Sequence, residues 1–473
     1  MNRQQFIRQT ALASAGLLAS RYSFAGTAAA FPEVRVPAGK RNFTSAAIEN
    51  AIAQIQKNTG NEELAWLFNN CFPNTLDTTV SFAMVNGKPD TYVITGDIDA
   101  MWLRDSTAQV WPYLPFSKTD EPLRQLIAGV INRQMSNILY DPYANAFYHD
   151  RTKVGEWKTD HTDMKPGLHE RKWEIDSLCY PVRLSYGYWK TNHDTSIFDE
   201  QWANAAKLVV QTFREQQRKN GQGPYKFERT TSWATDGVPL GGYGYPAAPV
   251  GLIHSMFRPS DDATIFPFLI PSNFFAVVSL QQMAEIFTAV YKDMAAATAC
   301  SKLAAEVKAA LNKHAIVTHP QFGKIYAYEV NGLNSHNLMD DANVPSLLSL
   351  PYLGAVSASD PVYQATRRFL LSTQNPFFFK GSAGEGIGGP HVGVDMIWPL
   401  SIIMRGLTSN NDSEIKYCID TLRKTHGGTG FMHEAFYKDD ATKFTRKWFA
   451  WANTLFGELV WHTYTQRPHL LKS

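Results

Sequence analysis

Apolar residues recur at intervals of three and four along most of the chain, the pattern of helices that bury one face. Leu123, Leu126, Ile127, Val130, Ile131 and Ile138 keep that spacing, as do Ile175, Leu178, Cys179, Val182 and Tyr186. Ile415, Cys418, Ile419 and Leu422 repeat it, and Trp448, Trp451, Ala452, Leu455 and Leu459 carry it near the end. Further helices are expected near 44–57, 61–70, 196–214, 274–292, 297–312, 358–372 and 394–406, about a dozen in all. Strand patterns are few. Thr78–Val85 and Thr91–Thr95 flank the turn residues Asn86-Gly87-Lys88-Pro89-Asp90 and predict a hairpin. Lys324–Val330, followed by Asn331-Gly332, predicts a second.

The connections between helices alternate in length. The long ones, such as 219–261 and 376–393, are rich in Gly, Trp, His and acidic residues. Long loops of that composition carry function on a rigid scaffold. The pattern predicts an all-α toroid, an inner ring of helices wrapped by an outer ring, with loops at one end forming a pocket. No Pro/Ser-rich linker interrupts the chain after residue 40, so residues 31–473 read as a single catalytic domain.

Composition narrows the function classes. With 45 basic and 43 acidic residues the net charge is +2, too small for a dedicated nucleic-acid binder. Aromatic content is high at 13%, which suits either a cleft that stacks on sugar rings or a large helical core. Residues 1–30 read as an export signal: Arg3 and Arg8 open it, Ala11–Ala19 is a short apolar run, and Ser23–Ala30 supplies small residues for cleavage. Asn2–Arg8 looks like a twin-arginine signal with Gln4 in place of the second arginine, which leaves the route open. The expected location is periplasmic or extracellular. No later stretch reads as long and apolar enough to span a membrane. Cys71, Cys179, Cys300 and Cys418 lie far apart within apolar helical patterns and are expected to be buried free thiols, although export would permit disulfides.

Three places carry candidate chemistry. Asp97, Asp99, Trp102, Arg104 and Asp105 crowd into nine residues where a helix begins. An Arg–carboxylate unit beside a Trp suits a sugar, since it offers donors, acceptors and a flat face, but a structural ion pair at a helix start has the same composition. Asp261-Asp262 follows Arg258 just ahead of a helix; two adjacent carboxylates fit a general acid with a raised pKa, and equally a helix cap. Glu434 follows Gly427-Gly428-Thr429-Gly430, an approach that lets backbone come close to a ligand, or simply a solvated helix start with His433 beside it. Glu174 and Asp176, two apart near a helix start, are not expected both to face one way. The loop of Gly384, Gly386, Gly388 and Gly389 with His391 has no GK[ST] and is not a phosphate loop. His161, Asp163, His169 and Glu170 lack metal-site spacing and read as polar loop residues.

The segment TGDIDAMWLRDST from Thr95 resembles the signature of glycoside hydrolase family 125. Five more segments resemble the family in order: KWEIDSLCYP from Lys172, FRPSDDATIFPFLIPSN from Phe257, LMDDANVPSLL from Leu338, GSAGEGIGGPHVGVD from Gly381 and TGFMHEAF from Thr429. Together they run from about residue 41 to 465; the one departure is Asp99, where proline is expected. The resemblance implies an (α/α)6 barrel with minor hairpins and an exo-acting α-mannosidase that cleaves terminal α-1,6-linked mannose with inversion. It implies that the FRPSDDA segment supplies the general acid and that Glu434 is the base; the sequence leaves both Asp261 and Asp262 open as the acid, with a slight preference for Asp261. Inversion asks for two carboxyl groups roughly 6.5–9.5 Å apart. Trp102, Arg104, Asp105, Asp176, Arg258, Asp341 and Asn343 are the implied substrate contacts. The expected partners are α-mannoside glycans, with no nucleic acid; no metal or cofactor is expected. Two other readings stand beside this one: a glucoamylase-like α-glucosidase on the same barrel, and a non-catalytic sugar-binding protein.

Overall fold

Among the residues described by the computed structural model, 31–472, the helices are of two kinds. The α-helices of eight residues or more are, in chain order, α1 (Ala46–Asn58), α2 (Glu62–Cys71), α3 (Leu103–Val110), α4 (Glu121–Tyr140), α5 (Ile175–Asn192), α6 (Glu200–Gln216), α7 (Ile270–Ile286), α8 (Met294–His314), α9 (Pro361–Leu370), α10 (Pro399–Leu407), α11 (Asp412–Lys424) and α12 (Ala450–Gln466). One kind buries a single stripe: α11 covers Ile415, Cys418, Ile419 and Leu422 and leaves its charged side to water. The other is enclosed on most sides: every residue of α3 is buried, as is the unbroken run Ile175–Ser185 of α5. Such all-round burial requires neighbours on every side, which a double ring provides.

The enclosed helices form the inner ring. α3 packs on α5, α5 on α7, α10 on α12, and α12 returns to α3. The remaining inner position is filled by the turn-rich segment 344–355, where the Val344 carbonyl accepts from Tyr180 of α5 and the Tyr352 hydroxyl donates to Glu458 of α12. Outside, α4 packs on α5, α8 on α7, α11 on α10 and α2 on α12. This is the expected toroid of paired helices, and Val34–Ser473 makes one compact unit. The export signal expected over residues 1–30 lies outside the described residues.

Helix starts separate the rings as sharply as burial does. All seven outer helices begin with a side-chain cap: Ser45, Asn61, Asp120, Asp199, Asp293, Asp360 and Asn411 each accept from a first-turn N–H. None of the inner helices does; Trp102, Glu174, Leu269, Trp398 and Phe449 stand at their starts. Their leading N–H groups go to neighbouring loops instead, Leu103 to the Asn145 carbonyl, Ile270 to Tyr328, Ala450 to Thr95 and Ile175 to the Ser255 hydroxyl. The residues just before each inner helix are thereby released from capping.

Several expectations need correction. The first hairpin turns on Asn86-Gly87 alone, both with positive φ, so Lys88–Asp90 belong to the second strand, Lys88–Val93 against Val80–Val85. Lys324–Val330 is not one strand: Gly323–Tyr326 pairs backwards with Ile316–His319, and Glu329–Val330 pairs with both Phe268–Leu269 and His336–Asn337. Ile270–Tyr291 is long and apolar enough to cross a bilayer, with a mean hydropathy of 1.3, contrary to expectation. In this fold it is the inner helix α7 and its extension, apolar chiefly where the run Ile270–Val277 is buried in protein. The four cysteines are free and buried. Trp173, Trp202 and Trp451 are fully enclosed, so part of the aromatic excess is core.

Candidate active site

The six segments singled out in the sequence each run into an inner-ring element, at 103, 175, 270, 344, 399 and 450. They therefore meet at one end of the barrel. Short strands fix them there. Met101–Trp102 pairs with Ala146–Phe147, and that with Leu168–Glu170, which sets the Trp102 indole edge-on to His169 at 5.0 Å.

Arg104, on the first turn of α3, gathers four carboxylates. Nη1 donates to Glu174 Oε2 at 2.5 Å and to Asp176 Oδ2 at 3.3 Å; Nη2 donates to Asp261 Oδ1 at 2.9 Å; Nε lies 3.4 Å from Asp105 Oδ2. Glu174 and Asp176 face the same guanidinium, contrary to the sequence expectation, because Glu174 is extended at φ −129° while Asp176 is already helical, and neither strand nor helix periodicity spans the junction. Four acidic groups around one buried cation cannot all carry full charge, and three of them are shifted toward the protonated form. Burial pushes Asp105 and Asp176 up to about 6, and Glu174 well above the usual range, against the pull of Arg104. Asp261 goes the other way: burial opposes its charge, but Arg104 and Lys172 outweigh it and hold the carboxyl below its ordinary value.

The Asp261-Asp262 doublet is a turn, not a helix cap, since α7 starts eight residues later. Asp261 takes a left-handed φ of +66°, its N–H bonded to the Arg258 carbonyl, and Lys172 Nζ donates to its carbonyl at 2.8 Å. The turn separates the two side chains. Asp261 keeps 22% of its side chain exposed; Asp262 keeps 2%, accepting from Thr235 Oγ1 at 2.7 Å and Ser260 Oγ at 3.0 Å, with His391 Nδ1 at 3.4 Å. Burial would raise Asp262, yet His391, the Thr235 hydroxyl and Arg258 hold it below its usual value. Ser260 Oγ also lies 3.0 Å from Asp341 Oδ2, while Asn343 donates from its backbone and side-chain nitrogens to Asp341 Oδ1. Asp341 is raised, first by burial and then by the nearby Asp262. Arg258 Nε donates to Glu329 at 2.7 Å, and its Nη2 has no partner.

Glu434 comes from another wall. It is buried at the head of strand Ala435–Tyr437, not at a helix start, and the paired strand Asp440–Thr445 leads into Arg446, whose Nη1 lies 3.6 Å from Glu434 Oε1. Arg446 is also fixed by Asp97 at 2.5 Å and by Thr95 Oγ1 at 3.0 Å. It bears on Asp105 as well, so Arg104, Asp105 and Arg446 link the Asp261 side of the site to the Glu434 side. His433 stacks flat on Phe444 at 3.6 Å and burial lowers it to about 4; it is a neutral packing residue.

With that geometry in place, the comparisons are specific. Residues 61–461 match the family model for metal-independent alpha-mannosidase (GH125). The chain belongs to glycoside hydrolase family 125. It is 43% identical over 450 residues to the meiotically up-regulated gene 157 protein of Schizosaccharomyces pombe, covering 91% of this chain and 88% of that one. A Streptococcus pneumoniae metal-independent alpha mannosidase, solved as a non-productive complex with alpha-1,6-mannobiose, aligns at a TM-score of 0.87 and 42% identity, covering 90% of this chain and 100% of that one. A bacterial glucoamylase complexed with acarbose aligns at a TM-score of 0.51 and 15% identity over 77% of this chain and 49% of that one, which shows the shared (α/α)6 fold alone.

The α-mannosidase therefore brings together Trp102, Arg104, Asp105, Asp176, Arg258, Asp262, Asp341, Asn343 and Glu434, all buried, with the partly exposed Asp261 at one barrel end. Asp99 stays outside, pairing with Lys153 near the surface. His161 and Asp163 are exposed loop residues, but His169 and Glu170 are not: Glu170 accepts from Arg229, and from Asn145 beside Asp261. The sequence reading also missed Lys172, Glu329 and Arg446 as supports. A lone basic residue in a KWE or TRK string carries no periodic or motif signal. Among the described residues no group of three His, Cys, Asp or Glu is placed to hold a metal ion. A small cavity lined by Thr107, Tyr180, Arg183, Tyr352 and Trp451 lies deeper along the inner helices and includes none of the candidate residues.

Proposed function

We propose that this α-mannosidase removes single mannose units from the ends of α-1,6-linked mannosides by direct attack of water, with inversion. In this reading Asp261 is the general acid and Glu434 the general base. The observation that carries the assignment is the division of labour within the doublet. Asp262 spends its carboxylate on Thr235, Ser260 and His391, whereas Asp261 is tied on one oxygen and open toward the site. Glu434, on a separate wall and oriented by Arg446, would take a proton from water as that water attacks the anomeric carbon. The glycosidic C–O bond breaks as the leaving oxygen takes its proton from Asp261.

Buried donors without protein partners supply the remaining chemistry. The indole N–H groups of Trp102 and Trp398, Nη2 of Arg258 and the Tyr328 hydroxyl are all unpaired, and a sugar presents a ring of hydroxyls to satisfy them. The α-1,6 linkage is supported by the mannobiose named in the S. pneumoniae complex, a protein 42% identical to this one. Release of mannose from α-1,6-mannobiose, with none of comparable rate from α-1,2- or α-1,3-mannobiose and no glucose from maltose, tests it. Equal turnover of all linkages would remove the linkage assignment, and maltose hydrolysis would favour an α-glucosidase. We also propose that Arg3, Arg8 and the apolar run Ala11–Ala19 direct export of the chain. Signal removal and secretion on expression would test that.

A further inference from the structure

A general acid must hold a proton, yet Asp261 is tied to a guanidinium. The neighbour that resolves this is Glu174. It is fully enclosed, and its two oxygens are treated differently. Oε2 accepts twice, from Arg104 Nη1 at 2.5 Å and Ser177 Oγ at 2.9 Å. Oε1 has no donor at all. A buried carboxylate oxygen without a donor is unfavourable if ionised, and much less so if that oxygen carries a proton and finds an acceptor. The acceptor is at hand: Arg104 holds Glu174 and Asp261 side by side through its two terminal nitrogens, Nη1 to Glu174 Oε2 and Nη2 to Asp261 Oδ1, and each carboxyl bears on the other's proton affinity.

We propose that Glu174 and Asp261 form a pair that shares one proton across Arg104, with Glu174 as the positioning residue that keeps the acid supplied. This inference rests on the reading of Asp261 as the acid. In the free protein the proton resides on Glu174, whose affinity is raised first by burial and then by Asp261 and Asp176 against Arg104. A bound glycosidic oxygen gives an Asp261 hydroxyl something to donate to, which favours the form with the proton on Asp261 and the charge on Glu174. As the C–O bond breaks, that proton goes to the leaving oxygen. Both carboxylates are then ionised beside Arg104, and solvent returns one proton to the pair once product leaves, while Glu434 gives up the proton it took from water. The charged groups facing the pair are Arg104 and Asp105 of α3, Asp176 of α5, and Lys172 at the Asp261 backbone. The further titratable neighbours are the imidazoles of His391 and His169, which bear on Asp261, and the phenol of Tyr225, itself held neutral by burial.

The alkaline limb of kcat/KM on α-1,6-mannobiose should then report the loss of the shared proton. Glu174→Gln removes the like charge and donates permanently to Asp261, so Asp261 holds a proton less well. The limb should move to lower pH by about one unit or more. Ser177→Ala withdraws a donor from ionised Glu174, so the pair holds its proton more tightly and the limb should move to higher pH. A purely structural role would lower activity without moving the limb in opposite directions. An unmoved limb in either variant, or shifts of the same sign, would overturn the inference; if Glu174→Gln does not fold, Ser177→Ala decides alone. Asp261→Asn, run on mannobiose and on a nitrophenyl α-mannoside, separates the two layers. If its loss is the same on both substrates, the acid assignment fails; if its loss is confined to mannobiose while the limb stays fixed in the Glu174 and Ser177 variants, only the pairing fails.

Discussion

At Asp261 the backbone takes a left-handed conformation that few residues other than glycine, Asn and Asp accept. That twist sends adjacent carboxylates to different partners, Asp261 to Arg104 and Asp262 to Thr235, Ser260 and His391. Substitution should therefore tell them apart. Asp261→Asn and Glu434→Gln should each fold normally and lose about 10²- to 10⁴-fold in kcat/KM on mannobiose, the ordinary worth of acid or base assistance. Loss in the asparagine variant should shrink on a nitrophenyl leaving group, which needs little protonation. Loss in Glu434→Gln should persist on every substrate, because water must still be activated. Asp262→Asn should lose activity without leaving-group dependence, since its carboxylate holds the turn. Steady-state kinetics on the two substrates for all three variants check this, and a Glu434→Gln enzyme with near-normal turnover would contradict the base assignment.

The elements that deliver these residues share a rule: outer helices cap themselves and inner helices do not. The residues before the inner helices are free for chemistry, and loops must satisfy the helix starts. Gly388 shows how tightly one such loop is held. Its carbonyl accepts from the Ala342 N–H beside Asp341, and an added Cβ would lie 2.1 Å from the Met396 carbonyl oxygen and 2.7 Å from the Phe379 ring. Gly388→Ala must displace the strand or the ring, at a cost of about 1–3 kcal/mol, and should lower both the urea midpoint and mannobiose turnover. A variant as stable and active as the parent would show that the loop yields more freely. The helices were legible because one-sided burial writes a 3.6-residue period, as in Ile415, Cys418, Ile419 and Leu422. The hairpin was legible in place but not in register, since Lys88-Pro89-Asp90 has turn composition and strand conformation. Glu329 and Arg446 were not legible: each acts across the barrel end on Arg258 or Glu434, and no local pattern encodes a partner 71 residues away in the first case.

Across the whole molecule the double ring encloses more carboxyl groups than its cations neutralise. Asp340, which accepts from the Leu347 and Leu348 N–H groups, is pushed up to about 8 by burial, and Asp105 and Asp176 to about 6. A carboxyl raised in the folded state adds stability below its unfolded value, near pH 4, and that stability is lost as pH rises through the folded value. The urea midpoint should therefore fall between pH 5 and pH 8.5, and Asp340→Asn should cost less at pH 8.5 than at pH 5. A midpoint that climbs over that range would contradict the burial of these groups as neutral acids. The toroid itself was legible from helix number and alternating loop length, whereas the filling of the sixth inner position by turns at 344–355 was not, because a Pro- and Ser-rich run carries no helical period. One consequence of the whole arrangement, with the proposed acid and base, Asp261 and Glu434, on separate walls, is stereochemical. Proton NMR of α-1,6-mannobiose during its first minutes with the enzyme, before mutarotation, should show β-mannose as the released sugar. Initial release of α-mannose would mean a retaining route through a covalent intermediate, and would contradict the account.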